Sequence, residues 1–122
     1  TLYYEIKGTV YVLPPEVESN LLRIGQEALT NAIKHANADE IRVELIYESD
    51  RFVLCVKDDG QGFGVGSLPS SHGFGLLGMS ERAERINAQL TIASQPGQGT
   101  EIMVIVDQES HDEPSDSGSD CR

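Results

Sequence analysis

The segment between residues 17 and 36 constrains the fold more than any other, because its apolar residues repeat with helical spacing. They recur at positions 17, 21, 24, 28 and 32, with further apolar residues at 22, 29 and 33. This periodicity predicts a helix of about five turns with a broad apolar face. Pro14-Pro15 and Glu16 are typical of a helix start, and Asn37 is a plausible end. Such a face needs a second layer to pack against.

Segments with the composition of strands supply that second layer. They occupy residues 2–7, 9–13, 41–48, 51–58, 89–95 and 99–106. Gly8 separates the first two as short strands or a hairpin, and Ser49-Asp50 joins the middle two as a hairpin. A second amphipathic helix is expected after residue 75, with an apolar side formed by Leu76, Met79, Ala83 and Ile86. This order predicts an α/β (α+β) two-layer sandwich, with helices covering one face of a mixed, largely antiparallel sheet.

The acidic residues are concentrated at the end of the chain, whose 122 residues suit one domain. Residues 107–122 contain six acidic residues and no large aliphatic residue, so we predict a domain at 1–106 and an acidic disordered tail at 107–122. The formal net charge of −11 argues against a nucleic-acid partner. No apolar run approaches the roughly 20 residues that cross a bilayer, so we expect no membrane contact by this domain. Two cysteines, Cys55 and Cys121, make no disulfide framework, which favours a reducing compartment such as the cytoplasm. The chain begins at Thr1 without a signal-like segment, so it looks like a piece of a longer protein.

The predicted first helix carries a polar stripe. Glu27, Asn31 and Lys34 are spaced by four and three residues, so they share one side of a helix. An amide oxygen can ligate Mg²⁺, an ammonium can meet phosphate charge, and a carboxylate can orient or deprotonate a nucleophile. The alternative is an ordinary helix edge with a polar pair.

A second candidate site follows the strand-like residues 51–58. Asp58 stands at the strand end and is followed by Asp59, Gly60 and Gly62. A carboxylate there can accept a hydrogen bond from an exocyclic amine, and glycines permit close approach of a planar ring. The alternative is a strand-ending turn, which Asp and Gly also favour.

Two further glycine motifs lie downstream. The residues from Gly73 to Met79 match G-x-G-x-x-G, but they follow a loop, which excludes the dinucleotide-binding interpretation. What remains is a glycine loop entering a helix N-terminus, whose N–H groups can hold phosphate oxygens. Gly99-Thr100 opens the last strand as part of a hairpin turn, and Thr100 is functional only if it faces the same cleft as Asp58.

Together these segments resemble the nucleotide-binding boxes of the ATPase superfamily that includes gyrase, Hsp90, MutL and histidine kinases. Residues 27–36 look like its N box, residues 58–62 and 73–79 like its two glycine boxes, and Gly99-Thr100 like the closing Gly-Thr. The stretches QEALTNAIKHA and GFGLLGMSERA resemble the sensor histidine kinases related to the nitrate and lipid-fluidity sensors.

The resemblance implies a Bergerat-type fold that binds ATP between the first helix and a lid at about residues 63–74. By matching position, Asn31 would hold Mg²⁺, Asp58 would bind the adenine amino group, and Glu27 would polarise the attacking histidine or help the metal shell. The nucleotide-binding residues that it implies are Asn31, Lys34, His35, Asp58, Gly60, Gly62, Gly73, Gly75, Leu76, Gly78 and Thr100. His35 has an equally plausible local role in packing or capping.

None of the three histidines has a setting suitable for a phosphoacceptor, since His35 lies in the N box, His72 in the lid and His111 in the tail. The resemblance therefore implies the ATP-binding catalytic domain of a two-component histidine kinase, with its acceptor on a separate dimerisation domain. Its partners would be that domain of the same kinase and a response regulator, and the full-length protein would be a homodimer. The alternatives are a serine kinase of the anti-sigma-factor type and a nucleotide-sensing module without catalysis.

Overall fold

The computed structural model describes residues 1–35, 38–61 and 76–107. In chain order the elements are β1 (Leu2–Gly8), α1 (Pro15–Thr30), a π-helical turn (Asn31–His35), β2 (Ile41–Tyr47), β3 (Arg51–Asp58), α2 (Leu76–Arg85), β4 (Gln89–Ser94) and β5 (Thr100–Asp107). The strands form one sheet in the order β1-β2-β3-β5-β4. β1 is parallel to β2, and the other three pairs are antiparallel. The predicted mixed, largely antiparallel sheet is confirmed.

The core lies between the two helices and one face of the sheet. Alternate residues of the central strands point into it, namely Phe52, Leu54 and Val56 of β3 and their cross-strand partners Val106, Val104 and Ile102 of β5. The helices contribute the buried side chains of Leu21, Ile24, Ala28, Met79 and Ala83. A sheet with period-two alternation and helices with an apolar stripe bury these faces against each other. The predicted two-layer α+β sandwich is therefore confirmed.

The prediction of two strands before α1 is wrong, because only β1 forms. Gly8 has a φ of +88°, and a Cβ there would lie 2.1 Å from the carbonyl oxygen of Tyr47. This backbone conformation favours glycine, and Gly8 pairs with Tyr47, the last residue of β2, so the chain beyond Gly8 has no partner in β2. Residues 9–13 therefore lie outside any strand, although they alternate as a strand would, with Val12 exposed and Leu13 buried.

The predicted helix of about five turns forms through His35, but its last turn is π-helical instead of α-helical. α1 ends at Thr30 and continues as the π-helical turn. The Thr30 hydroxyl donates to the Gln26 carbonyl oxygen at 2.9 Å, a contact that bends helices. The wider turn breaks the helical spacing, and Ile33, expected on the apolar face, is 65% exposed. Leu22, at the rim of α1, is exposed too.

The remaining elements follow the sequence closely. β3 has its predicted bounds, β5 extends one residue further than predicted, to Asp107, and α2 buries Met79, Ala83 and Ile86 as expected. The predicted helix end at Asn37, the lid and tail residues 108–122 lie outside the described residues. No helix in the described ranges is long and apolar enough to span a membrane.

Candidate functional site

Asp58 and Thr100 lie side by side at one end of the sheet. Asp58 ends β3, Thr100 begins β5, and the two are register partners. Cross-strand partners project to the same face of the sheet, so Thr100 and Asp58 share a face, and the expectation that they share a cleft stays a prediction. Thr100 is buried, and its Oγ1 lies 2.7 Å from Oγ of Ser94.

The carboxyl group of Asp58 is half-buried and held by backbone donors. Burial raises its pKa above the usual value, while the N–H groups of Gly60 and Thr100 act in the opposite direction. The Gly60 N–H donates to Asp58 Oδ1 at 2.8 Å. The loop after β3 therefore folds back onto its own aspartate, which fixes the carboxylate at the strand end.

Gly99 is required beside Asp58. Its φ is +83°, and a Cβ there would lie 2.2 Å from the Asp58 carbonyl oxygen. From the sequence, Gly99 is interpreted as part of a hairpin turn. The close approach of Gly99 to Asp58 depends on the pairing of β3 with β5. The loop after β3 also contacts the turn between β4 and β5, since the Gly97 N–H donates to the Gln61 carbonyl oxygen.

Glu27 belongs to a second group of predicted residues. Its half-buried side chain lines a cavity of about 360 Å³ between α1 and α2. Gly78, near the start of α2, lines the same cavity. The structure thus brings the N box and the end of the second glycine motif together. Asp58 lines a separate cavity of about 150 Å³ with Glu40 and Asp59.

Asn31 and Lys34 lie on the π-helical turn. Asn31 begins the turn and is 8% exposed, whereas Lys34 is exposed. A π turn spaces residues differently from an α-helix, so Lys34 does not continue the predicted stripe of Glu27 and Asn31 with α-helical geometry.

Several predicted binding residues cannot be placed. Gly62, Gly73 and Gly75 lie outside the described residues, as do the side chains of His35 and Leu76. Their roles in nucleotide binding stay predictions.

Asp59 was given no role by the sequence, but it makes defined contacts. Its Oδ1 accepts hydrogen bonds from the backbone N–H groups of Asp39 and Glu40, at 2.9 Å each. The Glu40 N–H, followed by that of Asp39, holds the pKa of this carboxyl group below its usual range. The only sequence signal was a second acidic residue before the glycines.

Comparison with known proteins places the chain in a family. Residues 16–110 match the family of histidine kinase-, DNA gyrase B- and HSP90-like ATPases. The chain is 41% identical over 96 residues to the signal transduction histidine-protein kinase/phosphatase DegS of Bacillus subtilis, covering 77% of this chain and 25% of DegS. It is 36% identical over 106 residues to the sensor protein VraS of Staphylococcus haemolyticus, covering 87% of this chain and 30% of VraS.

A solved structure shows the same fold. The histidine kinase domain of the blue-light activated histidine kinase EL346 from Erythrobacter litoralis aligns with a TM-score of 0.71 at 21% identity, covering 86% of this chain and 54% of that one. This chain spans a quarter to a third of the curated relatives' length, and the family match covers most of the chain. The chain therefore belongs to the family of histidine kinase-, DNA gyrase B- and HSP90-like ATPases.

Proposed function

We propose that this chain is the ATP-binding catalytic domain of a sensor histidine kinase, working in the cytoplasm. It delivers the γ-phosphoryl group of Mg-ATP to a histidine on a dimerisation domain outside this chain. The similarity to DegS and VraS supports this proposal, and about three quarters of DegS lies outside the matched segment. A homodimeric full-length kinase with a response regulator as its downstream partner follows from the same proposal.

The arrangement around Asp58 carries the proposal. An ionised carboxylate has several acceptor positions, so Asp58 can take the Gly60 N–H and still accept from an exocyclic amine. Gly99 lies against the Asp58 backbone, where a Cβ would be only 2.2 Å from the carbonyl oxygen. Thr100 adds a hydroxyl at the same strand ends. A half-buried carboxylate acceptor next to glycine backbone suits the adenine ring of ATP.

The phosphate side is assigned to α1 and the π turn. The oxygens of Asn31 and Glu27 are the hard donors that Mg²⁺ prefers. In proteins that bind nucleotides, Mg²⁺ is held by one or two protein oxygens, by phosphate oxygens and by water. Bound Mg²⁺ would neutralise phosphate charge. Asn31 would anchor the metal, Lys34 would approach the phosphates, and Glu27 would orient the attacking imidazole or help the metal shell.

Replacing the adenine acceptor tests the proposal. Asp58→Asn removes a charge-assisted hydrogen bond worth roughly 1.5–3 kcal/mol, so ATP affinity should fall about ten- to hundredfold. Isothermal titration calorimetry measures the affinities of the variant and of the wild type for ATP and GTP. GTP should bind the wild type poorly, because its 6-oxo group would face the carboxylate.

A matched control is Asp50→Asn, since Asp50 lies in the turn at the opposite end of β3. It should leave ATP affinity unchanged. Equal affinities of the wild type for ATP and GTP would contradict the assignment of Asp58.

A further inference from the structure

The chain that leaves the π turn is tied to the residue after Asp58. Asp59 Oδ1 accepts from the N–H groups of Asp39 and Glu40, and the Asp59 N–H donates to the Glu40 carbonyl oxygen at 3.2 Å. The last contact extends the β2–β3 ladder one step beyond the pair of Ile41 and Asp58. The side-chain contacts are additional to the ladder, so they orient the chain where it enters β2.

The chemistry of these contacts favours a charged acceptor. Two consecutive backbone N–H groups converge on one carboxylate oxygen, an arrangement that suits an anion. In accord with this, the pKa of Asp59 lies below its usual range, with the Glu40 N–H as the first cause. Asp59 is therefore ionised at neutral pH, and both bonds are charge-assisted.

The position of these contacts links the two sides of the proposed site. Asp59 directly follows Asp58, the proposed adenine acceptor. Asp39 and Glu40 lie on the segment that follows the π turn, which carries Asn31 and Lys34. The two hydrogen bonds that this side chain accepts thus connect the adenine side to Asp39 and Glu40, which follow the phosphate side in the sequence.

We infer that Asp59 is a positioning residue, which sets the distance between the Asp58 carboxylate and the π turn so that one Mg-ATP molecule reaches both. This inference rests on the proposed function. Asp59 would touch neither the adenine nor the phosphates. Its effect would therefore be greatest on a ligand that engages both sides at once.

Three variants test the inference. Asp59→Ala removes the acceptor, Asp59→Asn keeps an oxygen at the Oδ1 position, and Asp107→Ala removes one exposed negative charge at the end of β5. Calorimetry measures the binding of Mg-ATP and of metal-free ADP to each. Hydrogen exchange measures the protection of the Asp39 and Glu40 amides.

In Asp59→Ala the two amides should lose protection and Mg-ATP affinity should fall roughly three- to thirtyfold, a range typical of coupling between contacting groups. Metal-free ADP, held at the adenine side, should lose less. Asp59→Asn, which keeps an acceptor oxygen but loses the charge, should restore part of the Mg-ATP affinity, and Asp107→Ala should bind like the wild type.

The inference is overturned if Asp59→Ala binds Mg-ATP like the wild type. It is also overturned if both ligands weaken by the same factor, if Asp59→Asn fails to restore binding, or if Asp107→Ala causes an equal loss. These results leave the proposed function intact as long as Asp58→Asn weakens ATP binding. A wild-type chain that binds no ATP would overturn both.

Discussion

At the scale of single residues, Asp58 combines a strand-end position with partial burial, and burial raises the pKa of its carboxyl group. The Asp58 carboxyl group therefore becomes protonated at a higher pH in the folded chain than in the unfolded chain. By linkage, the contribution of Asp58 to the free energy of unfolding decreases as pH rises from the unfolded pKa through the folded one. A carboxyl group that costs stability when ionised is expected at a binding site.

The same titration should control nucleotide binding. The ionised carboxylate is the better acceptor for the adenine amine, so ATP affinity should fall as pH drops through the raised pKa of Asp58. Calorimetry at a series of pH values, on the wild type and on Asp58→Asn, measures this effect. ATP itself also takes up protons at low pH, and comparing the affinities of the two proteins at each pH cancels that effect. A constant ratio of the two affinities across the acidic range would contradict the prediction.

Asn31 separates metal-dependent binding from adenine binding. Asn31→Ala removes the proposed protein anchor of Mg²⁺ and leaves Asp58 and Thr100 in place. Metal-free ADP should bind almost normally, whereas the tightening of ATP binding by Mg²⁺ should largely disappear. Phosphoryl transfer to a supplied acceptor domain should be lost, since an unneutralised and misplaced γ-phosphate raises the barrier. Calorimetry with and without Mg²⁺ and a transfer assay test this.

Glu27→Gln provides the contrast for Asn31→Ala. If Glu27 orients the acceptor histidine, the variant should bind Mg-ATP like the wild type and transfer its phosphate more slowly. If Glu27 helps the metal shell instead, Mg-ATP binding should weaken as well. Unchanged binding and unchanged transfer would remove Glu27 from the proposed site.

At the scale of elements, α2 depends on Met79. This side chain is 1% exposed in the core, whereas Leu77 in the same helix is 62% exposed. Met79→Ala should lower the free energy of unfolding by about 2–5 kcal/mol through lost burial and a residual cavity. Leu77→Ala, the matched control, should change it by less than about 0.5 kcal/mol. Urea denaturation measures both, and equal losses would show that α2 packs differently.

The π turn and the missing second strand show the limit of periodicity. Both segments carry the apolar spacing of the predicted element. A strand needs a neighbour for its backbone groups, and β2 ends opposite Gly8, so residues 9–13 have no strand to pair with. After Thr30, a hydroxyl bond to the Gln26 carbonyl oxygen accompanies the change to a wider turn. Neither event changes the hydrophobic pattern.

At the scale of the whole molecule, the chain is proposed to hold the donor half of a phosphotransfer reaction. The isolated chain should therefore not become labelled on histidine by γ-labelled ATP, and a supplied dimerisation domain with its histidine should become labelled. Acid-labile phosphate on this chain alone would contradict the placement of the acceptor elsewhere. The Asn31→Ala variant with the same acceptor domain is the matched control for background transfer.

The sequence by itself determined the two-layer class, the helices, most strands and the family, because apolar periodicity and the order of the glycine and N boxes are local properties of the chain. It also selected Asp58 and Thr100 as candidates. Only the tertiary structure decided that they are register partners and that Gly99 must approach Asp58. The sequence likewise did not predict the contacts of Asp59 with Asp39 and Glu40. Residues far apart in the sequence meet only when strands pair, since pairing register depends on the whole sheet rather than on any one segment.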